Sequence, residues 1–191
     1  MKSILRPAIV LFAALTVICC VVYPYAVTGI GQVAFAHQAE GSIVSRNGQP
    51  VGSILIGQAF SSPKYFWGRP SATSPMPNNA ASSGGSNLGP TNPALIDAVK
   101  GRADALKAAD PGNTTPIPVD LVTASASGLD PDISIAAAYY QAPRVARERK
   151  LSVENVRSLI DRQRQSQYFG FFGEPRVNVL ALNLTLDQPP K

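Results

Sequence analysis

The sequence predicts a single amino-terminal transmembrane helix followed by one mixed α/β (α+β) domain, and three features predict it. Pro7 to Val27 holds no Asp, Glu, Lys, Arg or His over 21 positions. Asn47-Gly48 stands between two apolar runs as a hairpin signal, and helix-start signals recur at Asn92-Pro93 and Ser152. The 164 residues after the apolar run suffice for one domain with a sizeable core.

A helix of that apolar length covers roughly 30 Å, the hydrocarbon thickness of a bilayer. A cleaved signal peptide would use Lys2 and Arg6 as its charged start and Ala34-Phe35-Ala36 as its cleavage site. The core is too long for that, because such cores run about 7–15 residues. A retained span is therefore expected, with Tyr23, Tyr25 and Phe35 as an interfacial belt. Lys2 and Arg6 precede the run and no Lys or Arg follows until Arg46. That bias predicts a cytoplasmic stub (1–6), a span (7–27) and an extracytoplasmic domain (28–191). Cys19 and Cys20 lie inside the span and read as small packing residues, which leaves the domain without a disulfide.

Of the net charge of +5, two charges fall in the stub. Arg144 to Arg164 carries seven basic residues against three acidic ones, which reads as a solvated helix face rather than a nucleic-acid surface. The 17 Pro and 15 Gly predict a loop-rich domain. His37, the sole histidine, has no cluster of ligating residues around it and reads as a surface or packing residue.

Taken in order, residues 28–40 extend the helix out of the membrane. Ser42–Arg46 and Val51–Phe60 are the expected hairpin strands, with Gly52 and Gly57 marking a bulge or a close backbone approach. Gly68 to Pro90 is rich in Pro, Ser, Asn and Gly, and its composition alone reads as a flexible linker. Asn92-Pro93 opens a helix with Leu95, Val99, Ala103 and Leu106 on one face, and Asp110-Pro111-Gly112 closes it. Val119 to Ala124 reads as a short buried strand. Asp130-Pro131-Asp132 opens a second helix towards Tyr140, which Pro143 breaks or kinks. Ser152 caps a third helix with Val153, Val156 and Ile160 facing the core. Arg176 to Leu186 alternates as a strand covered on both faces.

No phosphate-binding loop, H-E-x-x-H or Cys/His metal cluster is present in the sequence. Asp130 and Asp132 could serve as a carboxylate pair for glycoside chemistry, but acids flanking a Pro at a helix start read as caps. A tethered envelope hydrolase using Ser82, Ser83, Ser125 or Ser127 stays open on residues alone, as does a binding module.

The assembled motifs resemble the C subunit of the Kdp-type potassium-transporting ATPase. They are Gly52–Phe60 (GSILIGQAF), Tyr65-Phe66, Gly68–Ala72 (GRPSA) and Ser83–Pro93 (SGGSNLGPTNP). Val119–Pro131 (VDLVTASASGLDP), Gln141 with Arg144-Val145-Ala146, and Glu174–Leu180 (EPRVNVL) complete the set. Asp132 and Ile135 depart from the pattern, the latter where Pro is common. The resemblance implies a bacterial inner-membrane complex with a channel-like, potassium-selecting A subunit, an ATP-hydrolysing P-type B subunit and a small F subunit. It implies a non-catalytic accessory chain that acts as a catalytic chaperone, raising the B subunit's affinity for ATP. The chain lacks the D-K-T-G-T phosphorylation motif of P-type pumps. Gln141 matches a glutamine proposed to contact nucleotide, with ATP at the interface with the B subunit; the predicted topology places it outside the cytoplasm. The resemblance also turns the Gly68–Pro90 stretch from a linker into an ordered loop. Its Ser83, Gly84, Gly85, Ser86, Asn87, Leu88 and Gly89 are the expected partner-contact residues.

Overall fold

A computed structural model describes residues 2–188, with side chains from Ile4 onward. The side chain of Lys2, used above for orientation, and the last residues of the expected domain lie outside the described set. Two units form, Met1–Ile43 and Val44–Lys191.

In the first unit, α1 (Lys2–Val17), a π-helical stretch (Ile18–Val22) and α2 (Tyr23–Ala34) run end to end. The apolar part, Ile4–Ala34, is long and apolar enough to cross a membrane, and none of it is buried within the chain. Its 31 residues extend about 46 Å, more than a bilayer's hydrocarbon core requires. The helix thus outruns Pro7–Val27 at both ends, as the apolar residues beyond Val27 suggest. Pro24 accounts for the π stretch: it has no N–H, and its ring crowds the carbonyl four residues back. The turn widens just before it, where the Tyr23 N–H bonds the Ile18 carbonyl. Phe35, at φ −138° and ψ 45°, ends the long helix ahead of the one-turn α3 (Ala36–Ala39), which carries His37.

The second unit opens with β1 (Ile43–Arg46) and β2 (Gln49–Ser53), paired across Asn47 and Gly48 at φ 52° and 76°. The second strand stops at Ser53 and does not reach Phe60. Gln58 turns back to donate to the Val51 carbonyl at 2.8 Å, so the chain folds over its own strand. Gly52 and Gly57 do mark close approaches. A Cβ on Gly52 would lie 1.9 Å from the Gln58 amide, and one on Gly57 would lie 2.6 Å from the Asp130 carbonyl.

α4 (Pro93–Ala109) starts where Asn92 accepts from the Ala94 N–H, and it ends at Asp110. Leu106 is buried on its inner face, with Val99 and Ala103 packed against the core. Val119–Ala124 is not a strand. A 3-10 turn (Val119–Leu121) buries Leu121 and Val122, and its Asp120 carboxylate accepts from the Ser134 N–H at 2.7 Å. β3 (Asp132–Ser134) occupies the expected start of the second helix, and α5 (Ile135–Arg149) begins only after Ser134 caps it. Pro143 neither breaks nor ends α5. The cost of an internal proline, about 3 kcal/mol, is offset by burial of Ala137, Ala138, Ala142, Val145 and Ala146.

α6 (Val153–Gln163) follows its Ser152 cap as expected, with Val156 and Ile160 fully buried. The largest departure is at the carboxyl end. Only β4 (Arg176–Asn178) is a strand; α7 (Val179–Leu186) takes over where Asn178 accepts from the Ala181 N–H. Alternating leucines fit either period when a run is short and covered on all sides. Here Val179, Leu182, Asn183 and Leu186 share one buried helical face. β4 pairs antiparallel with β3, with Ile133 opposite Val177 at the core. The described domain is therefore four helices (α4 to α7) and a two-stranded ribbon around one core, with the hairpin and a long loop beside it.

Candidate functional site

The site is built on an extended segment that has no partner strand. Phe66 is fully buried, so the backbone polar groups of Phe66 and Trp67 need partners inside the protein. Two carboxamides supply them. Asn183 of α7 accepts from the Phe66 N–H at 2.9 Å and donates to its carbonyl at 3.0 Å. Gln141 of α5 accepts from the Trp67 N–H at 2.8 Å and donates to its carbonyl at 3.1 Å. The pair imitates one rung each of a β ladder.

Arg144, one turn along α5, completes the clamp. It is 2% exposed and bonds the carbonyls of Pro63 and Tyr65, and it donates to the Gln141 Oε1 at 2.7 Å. Its guanidinium also lies 4.4 Å from the Trp67 ring centroid. Burial pushes its pKa down to about 10, so it stays charged at neutral pH. Gln141 is 1% exposed with both ends of its amide engaged. A nucleotide would reach it only by displacing the Trp67 segment.

Below the clamp, Asp187 gathers the start and end of the domain. Arg149 (2.8 Å), Arg46 (3.1 Å) and the Tyr65 hydroxyl (3.0 Å) all donate to its carboxylate. Burial pushes this carboxyl up, but the bonds from Arg149 and Tyr65 and the arginine charge outweigh it, leaving its pKa below the usual range. Arg147 likewise bonds the buried Asp110 at 2.6 Å. Arg144 and Arg149 of the basic run are thus internal ties, whereas Arg147 reaches Asp110 from the surface and Lys150, Arg157, Arg162 and Arg164 are exposed as a solvated face requires.

From this clamp the Gly68–Pro90 loop runs out, and it is not a linker. The Ser71 hydroxyl donates to the Gly128 carbonyl at 2.7 Å and accepts from the Asn78 N–H at 2.9 Å. Gly84 and Ser83 both donate to the Ser127 carbonyl, through the backbone N–H at 2.9 Å and the hydroxyl at 3.0 Å. Gly128 has φ 68°, and a Cβ there would lie 2.7 Å from the Gly84 carbonyl. The Ser125–Gly128 turn therefore acts as the bracket that shapes the loop. Of the expected contact residues, Ser83 to Gly85 sit on this bracket; Ser86, Asn87 and Gly89 face solvent, and Leu88 is half-buried. Asn87 takes the left-handed conformation at φ 52°.

Beside the loop lies a cleft of about 290 Å³ lined by Phe60, Trp67, Arg69, Pro70, Arg102 and Leu121 among others. Arg69 is paired with Asp130 at 3.0 Å. Arg102 bonds the Val122 carbonyl at 2.9 Å, and desolvation lowers its pKa.

The two carboxylates, Ser83 and Ser127 have structural partners. Asp130 accepts from the Asp132 N–H, and Asp132 pairs with Arg176 at 2.8 Å, so neither caps a helix. Ser125 is buried, Ser127 accepts from the Leu129 N–H, and Ser83 bonds backbone. Asn183, Arg144 and Asp187 carry the site without having been singled out for it. An Asn set within a leucine run is the sequence signal that points to Asn183, since a polar amide there needs a partner.

The family described as "KdpC: K+-transporting ATPase, c chain" matches residues 5–188. The chain belongs to that family. Similar relatives agree. A "Potassium-transporting ATPase KdpC subunit" of Janthinobacterium sp. (strain Marseille) is 75% identical over 188 residues, covering 98% of this chain and 100% of the relative. One from Herminiimonas arsenicoxydans is 77% identical over 98% of this chain and 99% of its own length. One from Dechloromonas aromatica (strain RCB) is 61% identical over the full length of both. The family match thus spans nearly the whole chain, and among the described residues one helix, Ile4–Ala34, is long and apolar enough to cross a membrane.

Proposed function

We propose that this chain is a non-catalytic accessory subunit whose domain docks through Ser83–Gly89 onto the channel-like A subunit, over its ion entrance. The B subunit hydrolyses ATP in this reading, and the small F subunit completes the complex. The span sits in the bacterial inner membrane with its amino terminus cytoplasmic and the domain outside, as the early Arg6 and the absence of further Lys or Arg before Arg46 favour. The observation that carries the docking role is the bracketed loop. A 23-residue stretch rich in Gly, Ser and Pro is ordered by bonds to Ser127 and Gly128, which cuts the entropy lost when a partner binds.

The catalytic-chaperone role follows by linkage. A domain that binds the ATP-loaded state of the complex more tightly raises ATP affinity without touching the nucleotide, and ATP must tighten the chain's own association equally. Gln141 then acts as a positioning residue, holding Trp67 and the loop that follows it. The docking test is Ser86→Trp, which adds bulk at an exposed position away from the bracket. Thermal stability should stay unchanged while co-purification of the A and B subunits falls. Full retention of both subunits would remove the loop from the interface.

A further inference from the structure

A second surface lies at the far end of the ribbon, and the potassium-transporter assignment does not account for it. The Gln165 and Arg176 backbones exchange hydrogen bonds at 2.8 and 3.1 Å, which ties a small hairpin to β4. Its upper rung is Tyr168 with Phe172, bonded in both directions at 2.9 Å. The tip between them, Phe169-Gly170-Phe171, turns with Phe169 at φ 53° and Gly170 at φ 78°. A phenylalanine in the left-handed region is strained, and Gly or Asn would relieve it.

Four aromatic rings are left in solvent: Tyr168 is 65% exposed, Phe169 89%, Phe171 68% and Phe172 58%. Together they expose on the order of 500 Å², as much as the largest patch of a typical monomer. No charged residue lies between Arg164 and Glu174, and Arg162 and Arg164 at the base are exposed without a carboxylate partner among the described residues.

We propose that this aromatic tip inserts into the headgroup and upper acyl region of the bilayer that holds the chain's own span. The residue types favour lipid over a protein pocket. Phe and Tyr populate membrane interfaces, two unpaired arginines sit where anionic headgroups would meet them, and a narrow projecting turn needs no complementary cavity. Chain length adds to this. Only nine residues separate Ala34 at the end of the candidate span from Val44 at the start of the domain unit. Fully extended they reach about 30 Å, less than the domain's own diameter of roughly 40 Å. A bilayer so near has a high effective concentration, so a weak insertion suffices. The inference is the same whichever side of the membrane the domain occupies.

The test is brominated-lipid quenching on the full chain reconstituted into phosphatidylcholine–phosphatidylglycerol vesicles. Wild type reports from its only tryptophan, Trp67. Phe169→Trp adds a reporter at an exposed tip position, and Val119→Trp adds one at a residue 69% exposed elsewhere on the domain. Insertion predicts a blue-shifted emission for Phe169→Trp and a loss of roughly half or more of the added emission with bromines on the acyl chains. Val119→Trp and wild type should show little loss. Equal quenching of both added reporters would mean that the whole domain lies on lipid, and would overturn a specific tip. No quenching of Phe169→Trp in vesicles, with shielding from acrylamide only once the other transporter subunits are present, would make the tip a protein contact and overturn the lipid assignment.

Discussion

Gln141 and Asn183 each satisfy two backbone groups of a segment whose Phe66 is fully buried. Truncating either to Ala leaves a buried N–H and C=O unpaired, at a cost of about 2–4 kcal/mol. Thermal or denaturant unfolding of the purified chain should show that loss for each. The double variant should lose less than the sum, because the segment is released only once. If nucleotide contact rather than positioning were the role of Gln141, its Ala variant would weaken ATP binding by the complex and leave stability unchanged. Asp187 sets a pH dependence at the same scale. Its carboxyl is held below the usual range in the folded state, so its stabilisation is present above the unfolded value of about 4 and is lost as pH falls through the folded one. Asp187→Asn should flatten the acid limb of the stability profile, and an unchanged limb would place the acid sensitivity elsewhere. Sequence reading singled out Gln141 but not its task, since its partner lies 74 residues away, and 117 residues separate Asn183 from Phe66.

At the scale of elements, local signals were the legible ones. The Asn47-Gly48 turn, the Asn92-Pro93 start of α4 and the Ser152 cap of α6 stand where the side chains require, because each is decided within four residues. Short apolar runs were not legible. Val119–Ala124 and the leucines after Val179 fit a strand on propensity, and burial against α5, α6 and β3 settled them as a 3-10 turn and a helix. The 68–90 loop shows the same limit. Its composition is that of a linker, and its order comes from a bracket 44 to 57 residues downstream that composition cannot register. Gly128→Ala should break that bracket, since the added methyl meets both Thr73 and the Gly84 carbonyl in a backbone conformation strained for Ala. Limited proteolysis should then cut between residues 68 and 90 in the variant and spare wild type. Equal resistance would show that other contacts hold the loop.

At the scale of the whole molecule, the chain divides into a span with no buried residue and a domain with its own core. The bare apolar surface of Ile4–Ala34 must meet lipid or other helices, and Ala13, Ala14, Cys19 and Cys20 provide small side chains for close packing. Exchanging this segment for an unrelated span of equal length should reduce recovery of the assembled transporter, whereas full recovery would make it a tether only. Membership of the KdpC family makes the accessory role the central claim. The most direct measurement is potassium-stimulated ATP hydrolysis by the transporter purified with and without this chain. Loss of that activity, with poorer recovery of the remaining subunits, is the expected result. Unchanged potassium-stimulated hydrolysis in its absence would contradict it.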